Sequence, residues 1–152
     1  MDIKKLFSQD VNDFSKLIQV FENVFEWGNF NFPTQAHLRK LLNNSNFFVF
    51  VAKDGDELIG GLTAHVLDRY DNENPSVYVY DLAILTNYQR KGIGKKLMST
   101  LNEYCEKNGF NEVFVQAETD DFQAVNFYRT TPISEELQAT HFTYSFNKKK
   151  DV

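Results

Sequence analysis

The sequence predicts an α/β (α+β) domain, a single mixed β-sheet flanked by helices on both faces. Three observations carry that reading. Two amphipathic helical patterns come first. A hairpin of apolar strands and a third strong strand follow. A glycine-bearing turn then leads from that strand into another amphipathic helix. The full order reads ααβββαβαβ in one chain of 152 residues, with no repeat, no low-complexity tract and no linker composition. Residues 1–152 are therefore expected to form a single domain, long enough to close a core.

Taken in order, Ile3–Phe7 can supply an N-terminal strand. Val11–Trp27 reads as a helix because Phe14, Leu17, Ile18, Phe21, Val24 and Phe25 recur at helical spacing and share one face. Gly28-Asn29-Phe30-Asn31-Phe32-Pro33 breaks it. A second helix starts at Thr34, a good N-cap, and sets Leu38, Leu41 and Leu42 on one side. Phe47–Ala52 is a continuous apolar run. Lys53-Asp54-Gly55-Asp56 turns it into Glu57–Val66, completing a hairpin. Gly60 and Gly61 inside the second strand predict a bulge or a close backbone approach. After the polar loop Asp68–Ser76, Val77–Leu85 is the third strand. The helix over Lys95–Asn108 turns Leu97, Met98, Leu101, Tyr104 and Cys105 inward, with Gly109 as its C′ residue. Val113–Ala117 is a short strand, Asp121–Thr130 a short helix, and Leu137–Phe146 alternates as a final strand.

Composition narrows the function classes. Sixteen basic against 21 acidic residues leave a net charge of −5. Such a chain is a poor binder of nucleic acid and suits a cationic partner. The one basic run, Lys148-Lys149-Lys150, reads as a solvated tail. No apolar run approaches the roughly 20 residues that span a bilayer, so no membrane partner is expected. Met1 to Lys5 lacks the apolar stretch of a secretory signal, and the lone Cys105 cannot form an internal disulfide, which together point to the cytoplasm. Cys105 falls on the apolar helix face and reads as core. His37, His65 and His141 show no metal-ligand spacing, so no metal is expected.

The chemistry concentrates at Gln89-Arg90-Lys91-Gly92-Ile93-Gly94, between the third strand and a helix. Free N–H groups at a helix start, with the helix dipole behind them, form an anion site. Gly92 and Gly94 remove the side chains that would hold a diphosphate away. Arg90, Lys91, Lys95 and Lys96 add positive charge. Neither the dinucleotide GxGxxG pattern nor the triphosphate GxxxxGK[ST] pattern is present.

The pattern Gln-x-x-Gly-x-Gly resembles the acetyl-CoA diphosphate loop of the GNAT superfamily of N-acetyltransferases. Asp121-Phe122-Gln123-Ala124-Val125-Asn126-Phe127-Tyr128 is similar to that superfamily's second motif, Asn-x-x-Ala-x-x-Phe/Leu-Tyr, with Asp121 in place of the usual Asn. The family's following Lys-x-Gly-Phe is replaced by Arg129-Thr130-Thr131-Pro132, so the turn into the last strand should differ. Val-Ala-x-Asp-x-x-Glu-Leu-Ile-Gly-Gly-Leu from Val51, Tyr78-Val79-Tyr80-Asp81-Leu82-Ala83, Val115-Gln116-Ala117-Glu118 and His141-Phe142 extend the likeness to the aminoglycoside 3-N-acetyltransferases of this superfamily, from about Phe47 to Phe146.

The resemblance implies a partly splayed sheet, with acetyl-CoA as co-substrate lying between Tyr80–Leu85 and Val113–Ala117. The backbone of Leu82, Ala83 and Ile84 would pair with its pantetheine arm. The N–H groups from Gln89 through Arg90, Lys91, Gly92, Ile93, Gly94 and Lys95 would hold its diphosphate, and Asp121 would stand near the arm. Tyr128 is the implied proton donor to the departing thiolate, and Glu118 the first choice as base. Asp81, Glu118, Asp120 and Asp121 are the candidate contacts to a cationic small-molecule amine, although loop acids are ordinarily solvated or cap helices. The other loop acids Glu26, Asp68, Asp71 and Glu73, and the aromatic residues Trp27, Phe30 and Phe32, are weaker candidates for the pocket wall.

Three functions are compatible with these residues: acetyl transfer to the 3-amino group of an aminoglycoside, acetyl transfer to another amine, and acyl-CoA binding without turnover. The first two share every cofactor contact and differ in the acidic pocket. The third is disfavoured by Tyr128 and the acid cluster. The assembly is left open, many relatives of this family being dimers.

Overall fold

The computed structural model describes residues 1–146. The expected basic run Lys148–Lys150 lies outside the described residues. Five strands and four helices form: β1 Asp2–Lys5, α1 Val11–Phe25, α2 Gln35–Leu42, β2 Phe47–Asp54, β3 Glu57–Leu67, β4 Ser76–Ile84, α3 Ile93–Lys107, β5 Glu112–Val115 and α4 Phe122–Arg129, with a 3₁₀ turn at Thr86–Tyr88 between β4 and α3. The strands lie in the order β1-β2-β3-β4-β5. All neighbours are antiparallel except β4 and β5, which run parallel. This is the mixed α/β sheet that the element order predicts. The chain divides into two compact units, Met1–Gln116 and Ala117–Val152.

In the first unit the helices stop where local chemistry says they should. Glu26 adopts a left-handed conformation (φ 54°) and closes α1 through its N–H to the Glu22 carbonyl. Thr34 caps α2, its hydroxyl accepting from the His37 N–H at 3.2 Å. Gly109, at φ 77°, follows Asn108 at the end of α3.

One sheet face packs against α1 and α2, where Phe14, Leu17, Phe21 and Leu38 meet Phe47, Val49, Val51 and Ala83 in one buried cluster. The other face packs against α3. Tyr104 of α3 makes edge contacts with Phe48 and Phe50 of β2 at 5.4 and 5.8 Å, and Leu97, Leu101 and Cys105 are fully enclosed. Alternate residues of β2 thus feed opposite layers. Burial pushes the Cys105 thiol up to about 11, consistent with a core residue.

Gly60 and Gly61 sit where the sheet is tightest. The β2–β3 register slips between Ala52 and Lys53, beside Gly60. A Cβ on Gly60 would stand 2.7 Å from the Ala83 carbonyl oxygen, and one on Gly61 would stand 2.5 Å from the Phe50 carbonyl oxygen and 2.7 Å from Leu17 Cδ1. The expectation for this pair, a bulge or a close approach, is met by the close approach, and the extra residue of the neighbouring slip is Ile59.

The second unit contains α4. Asp121 caps it by accepting from the Ala124 N–H at 3.2 Å. Arg129 at the helix end forms a two-pronged ion pair with Glu136 at 2.9 and 2.7 Å. The expected final strand over Leu137–Phe146 does not form. That segment carries no strand pairing, and Leu137, Phe142, Tyr144 and Phe146 are 78–90% exposed. Its alternation is a strand pattern, but it pairs with no strand among the described residues.

Gly61→Ala is expected to cost roughly 1–3 kcal/mol, because a carbonyl on the neighbouring strand cannot step aside as a side chain can. Urea denaturation followed by circular dichroism checks this; an unchanged midpoint would show that the β2–β3 spacing relaxes freely.

Candidate active site

β4 holds three of the expected cofactor contacts, Leu82, Ala83 and Ile84. It pairs with β5 over Ser76–Val79 against Glu112–Val115 and no further. Beyond Val79 the β5-side edge of β4 has no strand partner among the described residues. Leu82, Ala83 and Ile84 lie on this stretch, Ala83 and Ile84 with buried side chains. Backbone groups on such an edge are available to an extended ligand arm.

The loop after β4 is braced from within. The Gln89 side-chain amide donates to the Ile84 carbonyl at 2.9 Å, and the Tyr88 hydroxyl donates to Glu57 at 2.7 Å. Gln89, expected among the cofactor contacts, therefore also ties the loop to the end of β4. Arg90 and Gly92 both adopt left-handed backbone angles, φ 64° and 82°. Gly92 is the N-cap of α3, no side chain caps it, and the first helical bond runs from the Lys96 N–H to the Gly92 carbonyl at 3.0 Å. By helix geometry the N–H groups of Gly92, Ile93, Gly94 and Lys95 have no acceptor within the helix.

At Gly92 the space is open among the described residues. A Cβ placed on Gly92 would have nothing within 4 Å. Arg90, Lys91, Lys95 and Lys96 are exposed around it. Lys91 Nζ lies 5.5 Å above the Tyr88 ring, and Lys96 Nζ donates to the Met1 carbonyl at 3.3 Å. Unspent amides, two left-handed residues, an open approach and surrounding cations fit a diphosphate.

Asp81 is the one expected substrate contact within this unit. The β3–β4 register slips between Thr63 and Ala64: Thr63 faces Asp81, Ala64 faces Val79, and Tyr80 is the extra residue. Asp81 is half-buried, and among the described residues it has no hydrogen bond or ion pair. Burial alone raises its carboxyl above the usual carboxylate range. Beside it runs a row of rings that the sequence reading did not single out. Tyr78 stacks on Phe114 at 4.9 Å, and Tyr80 meets Tyr78 edge-on at 6.2 Å and His65 at 5.7 Å. The signal was present in Val77-Tyr78-Val79-Tyr80: both valines are buried, so the tyrosines must take the other side. Of the weaker candidates, Asp71 pairs with Arg69 at 2.9 Å, and Trp27 and Phe30 pack together at 4.9 Å with Phe32 against Phe30 at 6.0 Å.

The second unit holds the other expected residues. Glu118, Asp120 and Asp121 are exposed in the turn that opens α4, where the Asp121 N–H donates to the Glu118 carbonyl at 2.9 Å. Tyr128 is half-buried in the last turn of α4, its ring 4.9 Å from Phe127, and its carbonyl accepts from the Thr131 hydroxyl at 2.6 Å. The described residues hold no cluster of three or more His, Cys, Asp or Glu placed to ligate a metal ion, and no helix long and apolar enough to cross a membrane.

Residues 14–131 match the acetyltransferase (GNAT) family, and the chain belongs to it. Members of that family use acetyl-CoA, and the turn at Gly92 has the form that its diphosphate requires. Among solved structures, the aminoglycoside acetyltransferase meta-AAC0020 from an uncultured soil metagenomic sample, in complex with trehalose, is 48% identical over 96% of each chain at a TM-score of 0.95. Its complex with sisomicin gives 47% identity at the same TM-score. A second soil metagenomic aminoglycoside acetyltransferase, HMB0005, is 29% identical over 95% of this chain and 98% of its own, at a TM-score of 0.83. Among curated proteins, N-alpha-acetyltransferase 30 of Schizosaccharomyces pombe is 31% identical over 81 residues, 53% of each chain. The chain spans about half the length of that relative and of the probable N-acetyltransferase san of Drosophila melanogaster (51%).

Two outcomes test this geometry. Gly92→Glu places a carboxylate before the open amides and should weaken acetyl-CoA binding by at least about tenfold, read by calorimetry; unchanged affinity would remove the loop from the site. Asp81 tests its own burial. Its folded pKa is raised, so it is neutral in both states at low pH and is penalised in the fold once pH rises through the folded value. Asp81→Asn should therefore raise the urea midpoint at about pH 7 and leave it unchanged near about pH 3. Equal midpoints at both values would contradict the desolvation.

Proposed function

We propose that this chain moves an acetyl group from acetyl-CoA directly to a primary amine of an aminoglycoside, and that the amine is the 3-amino group. One observation carries the substrate class: 48% identity over 96% of both chains with an aminoglycoside acetyltransferase whose structure has also been determined with sisomicin. The choice of the 3-amino group rests on the resemblance at Tyr80-Asp81-Leu82-Ala83 and Val115-Gln116-Ala117-Glu118. A fold shared at 16% identity with AAC(6')-Iy does not bear on regiochemistry, which the NMR spectrum of the acetylated product decides.

Acetyl-CoA, when bound, supplies an activated thioester; the rest of the chemistry falls to this chain. The amides of Gly92 to Lys95, with Arg90 and Lys91, hold the diphosphate. The free edge of β4 at Leu82, Ala83 and Ile84 aligns the arm, and a backbone N–H near Leu82 or Ala83 stabilises the oxyanion. Glu118 takes a proton from the incoming ammonium, directly or through water, so that a neutral amine attacks. Tyr128 Oη gives a proton to the leaving thiolate and takes back, directly or through water, the proton that the attacking nitrogen loses as the amide forms. A phenol of pKa about 10 and a thiol of about 8.5 are close enough for positioning to matter most. Asp81, Asp120 and Asp121 contribute negative potential to the amine side.

The single-domain reading is kept, because the family match runs across the boundary between the two units. The exposed alternating segment Leu137–Phe146 supports a homodimer, in which a second copy covers Phe142, Tyr144 and Phe146. An acetyl-CoA co-substrate and the buried, unpaired Cys105 support action in the cytoplasm. A protein or peptide amine is the second reading, favoured by the 31% identity with an N-alpha-acetyltransferase.

Thiol release with aminoglycosides, polyamines and peptides separates these readings, and its absence with every amine leaves only an acyl-CoA-binding module. Tyr128→Phe is expected to lower kcat by about 100-fold with little change in acetyl-CoA affinity. Glu118→Gln should displace the acid limb of the pH–rate profile. Wild-type turnover in the first, or an unmoved limb in the second, rejects the assigned role.

A further inference from the structure

We propose that Tyr78, Tyr80 and Phe114, with Asp81 beside them, form a seat for the cationic ring of an amino sugar. The aromatic rings carry its C–H face and Asp81 receives its ammonium group. The proposal rests on the acetyltransferase reading and specifies where its amine substrate lies.

The bulge in β4 builds this seat. In a regular strand Asp81 would fall on the same side as Val77 and Val79, which are buried at 0% and 1% exposure. The extra residue Tyr80 reverses that. Asp81 comes to face Thr63 and Tyr78 faces His65, and Thr63 and His65 lie two apart on one side of β3. Tyr78 and Asp81 therefore share a face, and the ring contacts of Tyr80 with Tyr78 and His65 put it there too. Phe114, opposite Tyr78 on β5, extends the row by a stacked contact at 4.9 Å and 17°.

Helices α1 and α2 bury this face at Phe47, Val49, Val51 and Ala83. The ring row lies beyond that cover: Tyr80 is 62% exposed, and Tyr78 and Phe114 are half-exposed. Asp81 stands where the buried and open parts meet. A half-buried carboxylate with no cation beside it among the described residues is costly, and a bound ammonium offsets that cost. Cations are also attracted to the faces of aromatic rings. The occupant that satisfies both features presents a face of C–H groups and a positive charge. An acyclic polyamine offers charge without a ring face, and a nucleotide offers a ring with the wrong charge beside Asp81.

The test uses the full chain and four proteins: wild type, Tyr80→Leu, Tyr80→Phe and Asp81→Asn, each checked for its thermal midpoint. Sisomicin and spermidine are the probes, by calorimetry without acetyl-CoA and by thiol release with it. Tyr80→Leu should weaken sisomicin about tenfold in Kd and KM while sparing spermidine and the KM for acetyl-CoA. Tyr80→Phe, which keeps the ring, should stay near wild type, and Asp81→Asn should weaken both amines. Wild-type sisomicin affinity in Tyr80→Leu, or no sisomicin binding by the wild type, overturns the seat. A change in sedimentation with amine affinity intact also overturns it and makes this face a contact between copies. Tyr80-dependent binding without thiol release would leave the seat standing and sink the acetyltransferase reading. Turnover that ignores Tyr80 does the reverse.

Discussion

Helix α3 begins at a residue without a side chain, and its first amides have no acceptor inside the helix. Such a terminus is stable only where water or a ligand completes it. Much of the surrounding loop serves to keep it uncovered. Gly92 takes a left-handed angle that other residues adopt only with strain, and Gln89 ties the loop to the Ile84 carbonyl. The buried face of α3 then anchors the site to the core through Leu97, Leu101 and Cys105.

β4 joins three tasks in nine residues. Val77 and Val79 are buried, Leu82 to Ile84 lie beyond the pairing with β5, and Tyr78, Tyr80 and Asp81 face the open side. Two irregularities make this compatible with one strand. Pairing with β5 stops at Val79, which exposes the edge, and the bulge at Tyr80 turns a carboxylate away from the core. Neither adds stability by itself. Asp81 in particular is a group that the fold tolerates at some expense, as functional sites commonly are.

What was legible in the sequence is what is decided locally. Thr34, Gly109 and Asp121 were readable as caps because a cap needs only its own helix. The apolar face of α1 and the close approach at Gly60 and Gly61 followed from spacing and residue size. The glycine-bearing turn between strand and helix was visible in its spacing. Register was not legible. Nothing in Val79-Tyr80-Asp81 announces that a slip against Thr63 will move Asp81 to the tyrosine side, because the slip belongs to the pairing. The same limit explains Leu137–Phe146, whose alternation describes an extended chain and cannot name the edge it pairs with. Gln89 was recognised through its motif, while its bond to Ile84 became visible only in three dimensions.

The most direct examination of the central claim is a titration of ¹⁵N-labelled protein with coenzyme A, followed through its amide NMR signals. The account predicts that Gly92, Ile93, Gly94 and Lys95 shift together as their N–H groups acquire phosphate acceptors, and that they saturate with the binding isotherm. Coenzyme A that binds while these four amides stay where they were would contradict it.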